Sequence, residues 1–165
     1  MGKRSNFERR ERDHYPTPYS AVKPLLSYIN PFLRYYEPCA GEGDLIRHLD
    51  INNIPCGGYS DIDKDARTYQ YHDHKFDYFI TNPPWDREIL HPIIENLRKQ
   101  KPTWLLFDAD WMHTKQAIPH LYYCEKIISV GRVKWIPDSP HTGKDNCCWY
   151  QFVKDLTVTN FFGRT

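Results

Sequence analysis

The sequence lacks any apolar run near the roughly 20 residues that a membrane helix requires, and its mean hydropathy is −0.73. A helical span is thereby excluded. The opening segment MGKRSNFERRERDHYPTP has no apolar core of the kind a secretion signal carries, so the expected setting is intracellular and cytoplasmic, or the host cytoplasm if the gene is phage-borne. No CxxC pair is present. The five cysteines, Cys39, Cys56, Cys124, Cys147 and Cys148, are odd in number, and the adjacent pair is badly spaced for a bridge, which favours reduced thiols. The eight histidines show no metal-ligand spacing, His72 and His74 being only two apart, which argues against a metal centre. There is no internal repeat and no low-complexity tract, and the 13 prolines are scattered, so 165 residues read as one domain.

Net charge is only +1, from 22 basic and 21 acidic residues, but it is unevenly placed. Residues 1–12 hold Lys3, Arg4, Arg9, Arg10 and Arg12 against Glu8 and Glu11. This basic N-terminal arm fits a polyanion partner; a solvated tail is the plain alternative. Arg132, Lys134, His141 and Lys144 near the C-terminus are a second candidate phosphate surface, or a solvated face.

Apolar periodicity predicts helices over 18–29, 44–49, 64–71 and 87–99, alternating with strands at 34–39, 57–62, 76–80 and 104–107. Strand and helix in alternation predict a mostly parallel sheet with crossover helices, an α/β fold of Rossmann type. Residues 126–136 and 147–153 then read as two long strands without a helix between them, hence a C-terminal antiparallel hairpin. Ligands of such sheets bind at the carboxyl ends of the strands.

Three segments fall at those ends. Glu37-Pro38-Cys39-Ala40-Gly41-Glu42-Gly43-Asp44 is a small-residue turn between strand and helix. Its third glycine position is filled by Ile46, and Glu37, Glu42 and Asp44 would repel a pyrophosphate, so a ligand with a cationic centre and an adenosine suits it better than a dinucleotide. S-adenosylmethionine has both parts. Ser60-Asp61-Ile62-Asp63 follows by about 20 residues, the spacing of an acid that bonds ribose hydroxyls, and Asp61 is the candidate; Asp63 is a candidate N-cap for the helix predicted at 64–71. Asp73 is a weaker candidate near an adenine amino group. Thr81-Asn82-Pro83-Pro84-Trp85 leaves the sheet stiffly, because neither proline can extend a ladder. Asn82 and the Pro83 carbonyl are candidate acceptors for an amino group, and Trp85 a stacking platform.

YEPCAGEGDL, SDID and FDYFITNPPW together resemble the class I S-adenosylmethionine-dependent amino methyltransferases, above all the DNA adenine-N6 enzymes. Asp13-His14-Tyr15-Pro16-Thr17-Pro18 is similar to that family's N-terminal cofactor motif, and Gly131-Arg132-Val133 with residues 148–152 to its closing hairpin. In compactness the chain is similar to phage-encoded adenine methyltransferases. The resemblance implies that Tyr15, Thr17, Pro18, Glu37, Ala40, Gly41, Gly43, Asp61 and Asp73 surround the cofactor, and that Asn82, Pro83, Pro84 and Trp85 form the catalytic tetrad. It covers residues 13–153 with no counterpart of a target-recognition domain, so recognition would fall to a protein partner or a second copy. RNA adenine, DNA cytosine-N4 and a protein glutamine amide offer the same pair of N–H groups and stay open as substrates. A non-catalytic nucleic-acid-binding subunit and a dehydrogenase are the readings from other classes; the intact NPPW and the missing third glycine count against them. Asp108, Asp110, Trp111, His113 and Thr114 are secondary candidates for a base pocket or simply a helix start.

Overall fold

The computed structural model describes residues 15–72 and 75–165, so the basic arm, Asp13, His14 and Asp73 lie outside the described residues. Seven strands form one sheet: β1 (Tyr35–Glu37), β2 (Cys56–Tyr59), β3 (Tyr78–Thr81), β4 (Thr103–Asp108), β5 (Cys124–Arg132), β6 (Asn146–Phe152) and β7 (Asn160–Phe162), in the spatial order β2-β1-β3-β4-β6-β5-β7. The first four are mutually parallel. β6 runs antiparallel to both β4 and β5, and β7 lies parallel to β5.

The short central strands are apolar without interruption because both sheet faces are covered. Successive residues alternate between two cores, as the period of two demands. Tyr35, Ile80, Trp104, Leu106 and Trp149 face the N-terminal segment and α2 (Asp44–Ile51). Tyr36, Phe79, Leu105, Phe107 and Tyr150 face the other way, where α3 (Arg87–Gln100) packs Leu90, Ile93, Ile94 and Leu97 onto them. Asp86 caps α3 by accepting the Glu88 N–H at 2.9 Å, which explains why the helix starts directly after the proline pair.

Three sequence expectations change. The helix predicted at 18–29 is a single α-turn, α1 (Tyr19–Val22), running into a tighter 3₁₀ segment at Lys23–Tyr28, since Pro24 has no N–H to continue an α ladder. The helix predicted at 64–71 is a string of turns. Asp63 accepts the Asp61 N–H and Asp65 the Arg67 N–H, so side chains compete for the backbone. α3 takes the rest: Asn96 donates to the carbonyls of Ala66 and Tyr69, and Gln100 accepts the Tyr71 N–H. Asp63 therefore caps no helix. At the far edge β6 inserts between β4 and β5, so the antiparallel hairpin lies inside the sheet, and β7 adds a strand too short to show an alternation.

β2 approaches the 75–76 segment so closely that a Cβ on Gly57 would lie 2.7 Å from the Lys75 carbonyl oxygen and 3.0 Å from Phe76 Cβ. Gly57→Ala must move backbone, and the expected loss is on the order of 1–3 kcal/mol in urea unfolding. The strand that leads into Asp61 should loosen with it.

Candidate functional site

A cleft of about 750 Å³ opens at the carboxyl ends of β1, β2 and β3. Its floor is the turn after β1. Gly41 (φ 53°) and Gly43 (φ 85°) take left-handed conformations that a Cβ would strain, and Gly43 N–H closes the turn on the Ala40 carbonyl at 2.9 Å. α2 starts there without a side-chain cap, its first turn carrying Asp44 paired with Arg47. Two backbone bonds tie this turn to the end of β2: Ser60 N–H to the Glu37 carbonyl and Ala40 N–H to the Ser60 carbonyl, both 2.9 Å. Asp61 is thus set next to the glycine turn by these main-chain bonds, with the Asp63 carboxylate accepting its own N–H at 2.8 Å.

Glu37 closes the floor. It is 1% exposed, and Oε1 accepts the Cys39 N–H at 2.9 Å. Burial drives its carboxyl up to about 8, with a smaller push from Asp61, against the opposing pull of the Thr81 hydroxyl and the Cys39 N–H. The lining carries five carboxyl groups, Glu37, Glu42, Asp44, Asp61 and Asp65, against the cations Lys64 and Arg67. Arg67 pairs with Asp65 at 2.8 Å, Asp44 pairs with Arg47, and Glu37 with its carboxyl at about 8 is protonated at neutral pH, so Glu42 and Asp61 against Lys64 set the charge of the lining. Such a cleft favours a cationic ligand over a phosphate.

The opposite wall comes from residues before α1. Tyr15, Pro16 and Thr17 line it, and the buried Thr17 is fastened on both sides. Its carbonyl meets His48 Nε2 of α2 at 3.0 Å, and its hydroxyl accepts from Asn82 Nδ2 at 3.1 Å. Asn82 stands at the end of β3 with Oδ1 accepting from Trp85 Nε1 at 3.2 Å. The same indole N–H reaches the Leu106 carbonyl of β4 at 3.1 Å.

The structure therefore brings Tyr15, Thr17, Glu37, Ala40, Gly41, Asp61, Asn82 and Pro84 to one cleft. Pro18, Gly43, Pro83 and Trp85 are not among its lining. Pro18 opens α1 by accepting the Ala21 N–H, Gly43 ends the turn behind Asp44, and Pro83 is buried. Trp85 is half-buried with its ring edge-on to Trp135 (centroids 5.6 Å, 85°). The sequence reading missed the apolar wall of Ile62, Ala66, Ile89 and Ile93. Helical spacing assigns Ile89 and Ile93 to a core face; the available signal was their place in the first turns after the tetrad. Ile62 is 76% exposed beside Asp61, an apolar residue with no packing reason to be there. Among the secondary candidates, Trp111 is fully buried and donates to His91 Nε2, while Asp108 pairs with Arg87. Among the described residues no group of three His, Cys, Asp or Glu is placed to hold a metal, and no helix is long and apolar enough to cross a membrane.

Beside the Asn82 end of the cleft lies the connection from β5 to β6, joined to it by the Trp85–Trp135 contact. Arg132 at the end of β5 and Lys134, His141 and Lys144 on this connection are exposed, with Asp138 and Asp145 among them, and Arg164 lies over Gly131 at its base. A rim of mixed charge with a slight cationic excess thus adjoins the cleft.

No protein-family profile matches the chain, and no curated protein matches it in sequence. Solved structures do match in fold. A candidate RNA methyltransferase from Pyrococcus horikoshii superposes with a TM-score of 0.62 at 14% identity, over 92% of this chain and 93% of its own. The methyltransferase subunit of a type I restriction–modification system from Streptococcus thermophilus gives 0.54 at 9% identity, over 90% of this chain and 47% of that one. A dimethyladenosine transferase from Plasmodium falciparum gives 0.52 at 14% identity, over 84% and 62%. This chain spans about half the length of the restriction–modification subunit and nearly all of the archaeal protein. The fold is thus methyltransferase-like, a seven-stranded α/β sheet in which β6 alone runs antiparallel.

Proposed function

We propose that the protein is an S-adenosylmethionine-dependent methyltransferase acting on the exocyclic amino group of adenine (N6) in DNA. The observation that carries this reading is the joint presence, in one cleft, of the acidic glycine turn and the Asn82 amide. The chemistry of the lining fits the cofactor. Glu42, with Glu37 once ionised, favours a cationic centre, Asp61 would accept from ribose hydroxyls, and Ile62, Ala66, Ile89 and Ile93 would offer an apolar wall to a purine. When bound, S-adenosylmethionine supplies an electrophilic methyl group on a sulfonium.

The protein's own share is positioning. An adenine amino group is a poor nucleophile because its lone pair is delocalised into the ring. Asn82 Oδ1 and the Pro83 carbonyl would each accept one of its N–H bonds, drawing the nitrogen towards a pyramidal form with a directed lone pair. Pro84 has no N–H to compete for a neighbouring carbonyl, and the proline pair holds both acceptors in a stiff turn. No side-chain base is needed to start, since the surplus proton leaves the product amine for water.

The cationic N-terminal arm favours a nucleic acid over a protein acceptor, with the slight cationic excess of the connection next to Asn82 as a weaker second element. A protein partner or a second copy would supply target recognition. RNA adenine is the second reading, favoured by the nearly end-to-end match to the archaeal protein described as an RNA methyltransferase. Methyl-labelled cofactor offered with duplex DNA, single-stranded DNA, RNA and protein extract, followed by nucleoside and peptide analysis, separates these. Label in N6-methyladenine of DNA is the expected result; label only in RNA or in glutamine overturns the DNA assignment.

Asn82→Ala should abolish transfer and leave cofactor affinity within about twofold, because its amide faces the substrate amine. Equal loss of both would remove Asn82 from that role. Asp61→Ala should weaken cofactor binding by on the order of 1–3 kcal/mol in calorimetry, the worth of charge-assisted hydrogen bonds.

Glu37 adds a pH dependence. Its carboxyl stands at about 8 in the fold against 4.5 ordinarily, so between those values the folded chain holds a proton that the unfolded chain has released. Its contribution to stability is therefore complete below pH 4.5 and is lost as pH rises through about 8. Denaturant unfolding at pH values on either side of that window should show a decline on the order of a few kcal/mol, and Glu37→Gln should flatten it. A cationic ligand favours the ionised form, so cofactor binding should tighten over the same interval with release of a proton.

A further inference from the structure

We propose that Thr17 and Trp85 are positioning residues that lock the Asn82 amide from both ends, with Trp85 serving through its indole N–H rather than as a stacking surface. This inference rests on the methyltransferase reading above and specifies how that site is set.

An asparagine amide presents an oxygen that accepts and a nitrogen that donates, and a half-turn about its last bond exchanges them. Acceptance of a substrate N–H needs the oxygen in place, and an amide turned the wrong way would set donor against donor. The indole N–H can only donate, so its 3.2 Å approach to Asn82 marks the atom it meets as oxygen. On the other side Asn82 Nδ2 donates to Thr17 Oγ1 at 3.1 Å. The indole contact selects this orientation, and the Thr17 hydroxyl, which can donate or accept, accepts in it and anchors the nitrogen end of the amide. Oδ1 still has a second lone pair for the substrate.

Each lock is itself anchored. The indole N–H is shared with the Leu106 carbonyl at 3.1 Å, and the ring is braced edge-on by Trp135. Thr17 is 6% exposed, and its carbonyl is held by His48 Nε2 at 3.0 Å. A carbonyl only accepts, so that ring nitrogen carries the hydrogen, and His48 is itself tilted against Tyr19 at 5.6 Å. The chain His48–Thr17–Asn82–Trp85–Leu106 thus runs from α2 through the cleft wall and β3 to β4. It ties the segment beside the cofactor turn to the group that grips the substrate. Trp85 is absent from the cleft lining and engaged through its only polar atom, which is what a positioning residue needs and a platform does not.

Three variants and one spectrum test this. Trp85→Phe keeps an aromatic ring and loses the N–H; kcat should fall about tenfold, with a smaller change in KM for nucleic acid. Thr17→Val keeps the shape and loses the acceptor; kcat should fall by about the same factor, more than KM for the cofactor moves, and Thr17→Ser should restore it to within about twofold. In asparagine-labelled protein, the Asn82 side-chain NH₂ signals, assigned by their loss in Asn82→Asp, should shift and exchange faster in Thr17→Val than in Thr17→Ser. Wild-type kcat in Trp85→Phe, a larger loss in KM than in kcat for it, or unchanged NH₂ signals in Thr17→Val would each overturn the lock. If the wild-type protein methylates no acceptor at all, the functional reading fails, and the NH₂ signals still decide the lock because they need no turnover.

Discussion

Two backbone hydrogen bonds, from Ser60 N–H to the Glu37 carbonyl and from Ala40 N–H to the Ser60 carbonyl, carry most of what is distinctive in this molecule. They join the ends of two parallel strands at the point where the chain turns into α2. Everything that lines the cleft floor is positioned relative to that seam. Because the seam is main chain, it leaves the side chains of Glu37, Asp61 and the glycine turn to the ligand. Its consequence is a carboxyl group almost wholly screened from solvent, answered by the Cys39 N–H and the Thr81 hydroxyl.

The cleft is built from opposed electrostatic regions. Its floor is acidic, its outer flank apolar, and the rim beside Asn82 is of mixed charge with a slight cationic excess. A ligand with a cationic centre and a purine is suited to the inner part, and a phosphodiester to the rim. Their meeting point is the end of β3, where two prolines stiffen the chain and Asn82 is bonded on both sides. The Asn82 amide is thereby held in one orientation by two uncharged partners.

The remainder of the fold supplies support. α3 holds the turns at 61–72 by lending Asn96 and Gln100 to their backbone, so the loop carrying Asp61 is braced by the helix that follows the tetrad. Trp149 of β6 donates to the Ala21 carbonyl at 2.8 Å and fastens the N-terminal segment across the sheet. The C-terminal strands thus steady the cleft wall that contains Thr17, although they are far from it in sequence.

Much of the architecture was legible in the residues themselves. Uninterrupted apolar strands such as YFI and WLLF require a sheet covered on both faces, the glycines of the first turn require left-handed backbone, and the proline pair must end β3 where it does. These are local constraints, enforced by sterics and hydrogen-bond capacity within a few residues. What depended on partners distant in the chain was not legible. The helix expected at 64–71 gave way to turns because α3 satisfies its carbonyls, β6 found a place between β4 and β5, and the three-residue β7 exists only through β5. Trp85 is the sharpest case: its sequence position makes it a natural stacking surface, and only the fold shows its N–H meeting the Leu106 carbonyl and its ring edge-on to Trp135. Short-range geometry is written in residue type, whereas the choice among competing hydrogen-bond partners is made only when the strands have come together.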